Sequence, residues 1–145
     1  MDYKLSVCFI DFHLSFAFGG IMDYKFNRAW AEVNLDNIAH NVREIKRIVD
    51  KKTEIMGVVK ADAYGHGVMG VAKTLINNGV TRLAVSMLDE AIQLRNYGID
   101  VPILILSYTD PIRAEEIVEN NVTQTVFSHE LAKALSDAAV KLKKR

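Results

Sequence analysis

Hydrophobic residues along positions 28–145 fall into two alternating kinds of run. Short apolar stretches rich in β-branched side chains are each followed by a longer stretch in which apolar residues recur every three or four positions. The first kind has the length of a buried strand, the second the spacing of one helix face. Residues 29–33 predict a first strand, with Asn34 and Asp36 as candidate caps of a helix that aligns Leu35, Ile38, Val42, Ile45 and Val49. Residues 55–59 predict a second strand. Its helix carries Val68, Val71, Leu75 and Ile76, and Gly79 is placed to end it in a left-handed cap. Residues 83–86 predict a third strand, and the next helix uses Leu88, Ala91, Ile92 and Arg95 before ending near Gly98. Residues 102–106 form a fourth, apolar on both faces. Asp110 and Pro111 supply a cap and a first-turn proline for a helix with Ile112, Ile117 and Val118 inward. Residues 123–127 predict a fifth strand, and Ser128 caps a last helix with Leu131, Leu135, Ala138 and Leu142 on one face.

Five consecutive strand–helix units with continuously apolar strands predict an α/β fold, a parallel sheet covered by helices on at least one side. Two architectures fit. An open doubly wound sheet of five strands would be complete at 145 residues. A (β/α)8 barrel needs about 250 residues, so this chain would be the first part of one. Both hold ligands beyond the carboxyl ends of their strands, and periodicity does not choose between them.

Composition narrows the partners. The chain has 18 basic and 18 acidic side chains, a net charge of +0 and 50% hydrophobic residues. That balance gives no reason to expect nucleic acid. Cys8 is the single cysteine, which excludes an intramolecular disulfide framework. Only Pro102 and Pro111 interrupt the chain as prolines, and no Ser/Gly/Pro-rich linker marks a domain boundary. The first 21 residues differ from the rest: Met1-Asp2-Tyr3-Lys4 recurs as Met22-Asp23-Tyr24-Lys25, with Phe9, Phe12, Phe16 and Phe18 between. Asp11 and His13 interrupt this apolar stretch, which falls short of the roughly 20 residues a membrane span requires. The reading is an unexplained extension over residues 1–21, with the native start at Met22 and no membrane association.

Candidate chemistry concentrates where the second strand stops. Lys60 follows the apolar run directly, then come small residues, Tyr64, Gly65, His66 and Gly67. A lysine partly withdrawn from water at a strand end is expected to have a lowered pKa, and its neutral amine can condense with a carbonyl. The alternative is a surface lysine snorkelling into solvent. No His/Cys/carboxylate cluster has metal-ligand spacing, and no Ser-His-Asp arrangement is suggested.

The string Val59-Lys60-Ala61-Asp62-Ala63-Tyr64-Gly65-His66-Gly67 closely resembles the pyridoxal-phosphate lysine motif of alanine racemases. Residues 28–36 resemble that family's opening strand, and His40-Asn41 matches a dipeptide common in its first helix. Residues 83–91 are similar to its third strand and following helix, and residues 102–106 to its fourth strand. The resemblance runs from about Met22 to the end. It implies the N-terminal portion of a pyridoxal-phosphate-binding (β/α)8 barrel over residues 22–145, followed in the family by a mostly β domain absent here.

The resemblance also implies roles. Lys60 would hold pyridoxal 5'-phosphate through a Schiff base and, once released, act as acid or base on one face of the alanine Cα. Tyr64 would offer its hydroxyl to the cofactor phosphate, and Leu106 would pack beside the cofactor ring. His66 and Asp62 are assigned to the loop's hydrogen-bonding shell. The family is cytoplasmic and homodimeric, and supplies D-alanine for peptidoglycan. Its second base, a tyrosine of the C-terminal domain, would lie beyond Arg145, so the chain alone is expected to be inactive. Two other functions compete: a non-catalytic pyridoxal-phosphate-binding barrel, and a flavodoxin-like interaction module. The latter would want acidic residues at its first and third strand ends, whereas the third strand here ends in Ser86.

Overall fold

The computed structural model describes residues 31–144. The expected extension over residues 1–21, the start at Met22 and the first two residues of the expected opening strand lie outside them. Residues 31–34 carry no regular structure, and the second of the chain's two compact units begins at Leu35. Helix α1 (Leu35–Ile48) is followed by strand β1 (Met56–Val58), a short turn of helix α2 (Lys60–Gly65) and helix α3 (Val68–Asn77). Then come β2 (Arg82–Val85), α4 (Leu88–Asn96) and β3 (Ile103–Ile105). A 3-10 turn (Pro111–Arg113) leads into α5 (Ala114–Glu119), β4 (Thr123–Gln124) and α6 (His129–Lys141).

The four strands are all parallel and stand in the order β1-β2-β3-β4. This order decides the architecture. A doubly wound sheet reverses direction at a switch point and so carries helices on both faces. Here each right-handed crossover adds the next strand on the same side, which keeps the connecting helices on one face. The strand order is that of a barrel's first part.

Register shows how the two faces differ. Leu83 pairs with Ile103 and Val85 with Ile105, and all four side chains are fully buried against the helices. Leu88, Leu94 and Leu131 come from those helices and are equally enclosed. Each such side chain contributes about 1.5–3 kcal/mol relative to exposure. Gly57 belongs to this face because the helix layer has closed on it: a Cβ there would stand 2.7 Å from Leu75 Cδ1. Met56, Val58 and Leu106 alternate to the opposite face and stay about 40% exposed.

Helices α3, α4 and α5 share one device where the chain turns back into a strand. After α3, the Gly79 N–H donates to Ile76 O (2.9 Å) and the Val80 N–H to Leu75 O (3.0 Å). Gly79 has φ +96°, so this is the left-handed cap expected from the sequence. Gly98 and Ile99 repeat the pair after α4, and Asn121 and Val122 after α5. In each case the next residue is apolar and enters the core as the chain turns into a strand.

Three expectations are corrected here, the first being the opening strand over residues 29–33, which forms no strand at its described residues 31–33. Ile112 is 87% exposed rather than inward. The Asp110 carboxylate accepts the Ile112 N–H at 3.0 Å and Pro111 opens a 3-10 turn, so the α-helical phase starts later, at Ala114. Ala114 and Ile117 are the buried positions. The fifth predicted strand is also shorter than residues 123–127, pairing only over Thr123–Gln124. No helix among the described residues is long and apolar enough to cross a membrane.

Candidate active site

Residues Val58, Ala84, Leu104 and Thr123 form one paired row across all four strands. Side chains alternate along a strand, so Leu106 returns to the side of Leu104, the side the helices leave bare. Lys60, Ser86 and Thr125 follow their own strands at the same carboxyl edge. Lys60 and Leu106 therefore both stand at the carboxyl edge, beyond β1 and β3. Another concavity among the described residues, lined by Met56, Arg82, Pro102 and Leu104, lies at the amino edge.

β1 ends with the Val59 N–H donating to Ala84 O at 2.8 Å. The chain then enters α2, whose sense is reversed. Ala61, Asp62, Ala63 and Tyr64 have φ between 51° and 56° and ψ between 36° and 54°, so four non-glycine residues form a left-handed turn. Such a conformation costs L-residues roughly 1–2 kcal/mol each. It persists only where surrounding contacts enforce it, as at many functional sites.

Three sets of contacts enforce it here. Internally, the Ala63 N–H reaches back to Val59 O (3.0 Å) and the Gly67 N–H to Asp62 O (3.0 Å). Toward α3, the Asp62 carboxylate accepts the Val68 N–H at 2.7 Å and so caps that helix. Toward β2, Glu90 Oε1 accepts the Ala61 N–H at 2.6 Å, while Oε2 accepts the N–H groups of Ser86 (2.8 Å) and Met87 (3.0 Å). The one side chain packed inward from the turn is Ala63, 5% exposed. His66 Nδ1 lies 3.2 Å from Tyr64 O. His66 and Asp62 thus belong to the hydrogen-bonding shell of the turn.

Lys60 is half-buried, and its Nζ stands 5.9 Å from the centre of the Tyr64 ring. Among the described residues it makes no hydrogen bond or ion pair, so its amine is not committed to structure. Tyr64 is 60% exposed and its hydroxyl faces no described partner. Leu106 is anchored by its N–H to Val85 O at 2.9 Å while its side chain stays accessible. Thr125, by contrast, spends its hydroxyl on Ile105 O at 2.6 Å. An amine, a phenol and an apolar side chain around one exposed rim suit an aldehyde, an anionic oxygen and an aromatic ring respectively. No group of His, Cys, Asp and Glu among the described residues could hold a metal ion.

Sequence reasoning placed Lys60 at a strand end but missed Glu90 and the handedness of the turn. Glu90 did carry a signal, since it is third in α4 and its carboxylate receives the N–H of the residue before that helix.

Electrostatics elsewhere are structural. The Arg95 guanidinium donates to the carbonyls of Ile99, Val101, Asn120 and Asn121, and burial lowers its pKa against a smaller opposing effect of Asp100. Arg113 bridges Glu116 and Asp89, both at 2.7 Å. Its hydrogen bond to Glu116 raises its own pKa and lowers that of the carboxylate.

Comparison with known proteins gives one family. The profile described as "Alanine racemase, N-terminal domain" matches residues 33–145. An alanine racemase of Clostridium perfringens is 50% identical over 124 residues, which cover 86% of this chain and 32% of that protein. The solved alanine racemase of Clostridium difficile 630 superposes with a TM-score of 0.77 at 44% identity, over 80% of this chain and 31% of that one. A histidine racemase from Leuconostoc mesenteroides superposes with a TM-score of 0.68 at 36% identity, over 74% of this chain and 29% of that one. The chain spans about a third of the length of the curated relatives it matches.

Proposed function

The chain belongs to the alanine racemase N-terminal domain family, and from that premise we propose that it is the first part of a pyridoxal-phosphate-dependent racemase acting on alanine. The observation that supports this reading best is Lys60, free of hydrogen bonds and ion pairs to the described residues at the carboxyl edge of β1, with its amine over the Tyr64 ring. Its amine is the nucleophile for the cofactor aldehyde. Tyr64 offers a hydroxyl to the phosphate, and Leu106 gives the ring an apolar neighbour. Pyridoxal phosphate, when bound, takes up the electron pair left at Cα as the proton departs.

The remaining chemistry belongs to the chain. When not engaged in holding the cofactor, the Lys60 amine would take a proton from one face of Cα or return it there. Inversion also needs a group on the opposite face of Cα; the phenol beside Lys60, that of Tyr64, is the one assigned to the phosphate. Lys60 then handles one face only. The working form is a cytoplasmic homodimer that supplies D-alanine for peptidoglycan.

Preference for alanine is inferred from the 50% identity to an alanine racemase. Incubation with pyridoxal phosphate, borohydride reduction and peptide mapping test the assignment. The pyridoxyl group is expected on Lys60 and should vanish with Lys60→Ala; a label centred on any other side chain overturns the active centre. Measurable alanine racemisation by the purified 145-residue chain would show that one-face chemistry is the wrong account.

A further inference from the structure

We propose that Glu90 is the positioning residue for Lys60: its carboxylate ties the left-handed turn to the end of β2 and so sets where the amine stands. The inference rests on the reading of Lys60 as the cofactor lysine. Ala61 is both the residue after Lys60 and the first with positive φ. Its N–H is therefore where the chain reverses sense, and it is held at 2.6 Å by an oxygen 29 residues away in sequence. The second oxygen of the same carboxylate is held at 2.8 and 3.0 Å by two consecutive N–H groups at the mouth of β2.

This geometry has a direct consequence. A carboxylate receiving three N–H groups is fixed in position, because both oxygens are engaged and the helix behind it is rigid. Charge-assisted bonds of this kind are about twice as strong as neutral ones. The strain of four left-handed residues pulls the turn toward ordinary backbone, and Glu90 opposes that pull at its first residue. Asp62 opposes it at the other end, but Asp62 reaches only α3. Glu90 alone among the described side chains hydrogen-bonds the turn to the neighbouring strand end, at the carboxyl edge where Lys60, Ser86 and Leu106 stand. A glutamine could keep one acceptor oxygen but not two; an alanine keeps none.

The test uses the full 145-residue chain and its Glu90→Ala and Glu90→Gln forms. Amide exchange is expected to quicken about tenfold or more at Ala61, Ser86 and Met87 in Glu90→Ala, with core amides such as Ile105 unchanged. After pyridoxal phosphate and borohydride, the share of label on Lys60 relative to surface lysines should fall about tenfold, with Glu90→Gln between the two. This ratio is internal to one molecule, so general loss of stability does not mimic it. Unchanged exchange at Ala61, uniform exchange across all amides, or an undiminished Lys60 share each overturns the proposal. If Glu90→Ala does not fold, Glu90→Gln carries the same readings at smaller size. A wild-type chain that takes no label on Lys60, yet loses Ala61 protection with Glu90, defeats the cofactor assignment while the tether stands.

Discussion

The two edges of the sheet are built on opposite terms. At the amino edge, α3, α4, α5 and α6 end in the same left-handed cap, two at glycines that adopt positive φ without strain and two at Asn121 and Lys143. The half-buried Arg95 joins two of those turns through four carbonyls. At the carboxyl edge, positive φ falls on alanine, aspartate and tyrosine, and the cross-ties include an exposed ion pair from Arg113. Identical backbone geometry is thus cheap at one end and costly at the other. Strain is concentrated where Lys60 stands, and the opposite edge supplies the stability that tolerates it.

Arg95→Met attacks the stable edge and should have the largest effect. Four carbonyls lose a charged donor, so a loss of about 2–4 kcal/mol is expected. Urea unfolding measures it, and the share of pyridoxyl label on Lys60 in the still-folded protein should not move. A shift in that share would mean the two edges are coupled.

Exchanging glycine and alanine between the edges tests the contrast directly. Gly98 has φ +76°, and a Cβ placed there would meet nothing within 4 Å. Gly98→Ala is therefore purely conformational and should cost roughly 1–2 kcal/mol. Ala61→Gly should do the opposite, gaining up to about 1 kcal/mol while loosening the lysine turn. Opposite signs in thermal unfolding support the comparison; equal signs would remove its basis.

Acid provides the smallest effect. Arg113 holds the Glu116 carboxyl below its ordinary value of 4.5. A depressed folded pKa stabilises in full above 4.5 and is lost as pH falls through the lower folded value. Because the group is exposed, the loss should be slight and salt-sensitive. Thermal melts of wild type and Glu116→Gln between about pH 5 and about pH 3 should converge as the pH falls. Curves that stay parallel over that range would mean the bridge does not act in solution.

Much of the fold is legible in the sequence because periodicity is a local property. The three- and four-residue steps of α6 and its Ser128 cap, the apolar runs of β2 and β3, and Gly79 beyond α3 all declare themselves within a few residues. Ile112 departs from its expected place because a 3-10 turn shifts helical phase, and a proline with a cap signals a helix start but not its first geometry.

The candidate site divides the same way. The run of residues 55–59 followed by a lysine fixes an amine at a strand end, since buried strands must be apolar and end where polarity begins. That Lys60 and Leu106 stand at the same edge of the sheet follows only from the parallel register across three strands. The reversed sense of Ala61–Tyr64 comes from contacts outside the segment, because nothing in alanine, aspartate or tyrosine prefers four left-handed residues in a row. A carboxylate 29 positions away decides it, and only the folded chain brings that group within 2.6 Å.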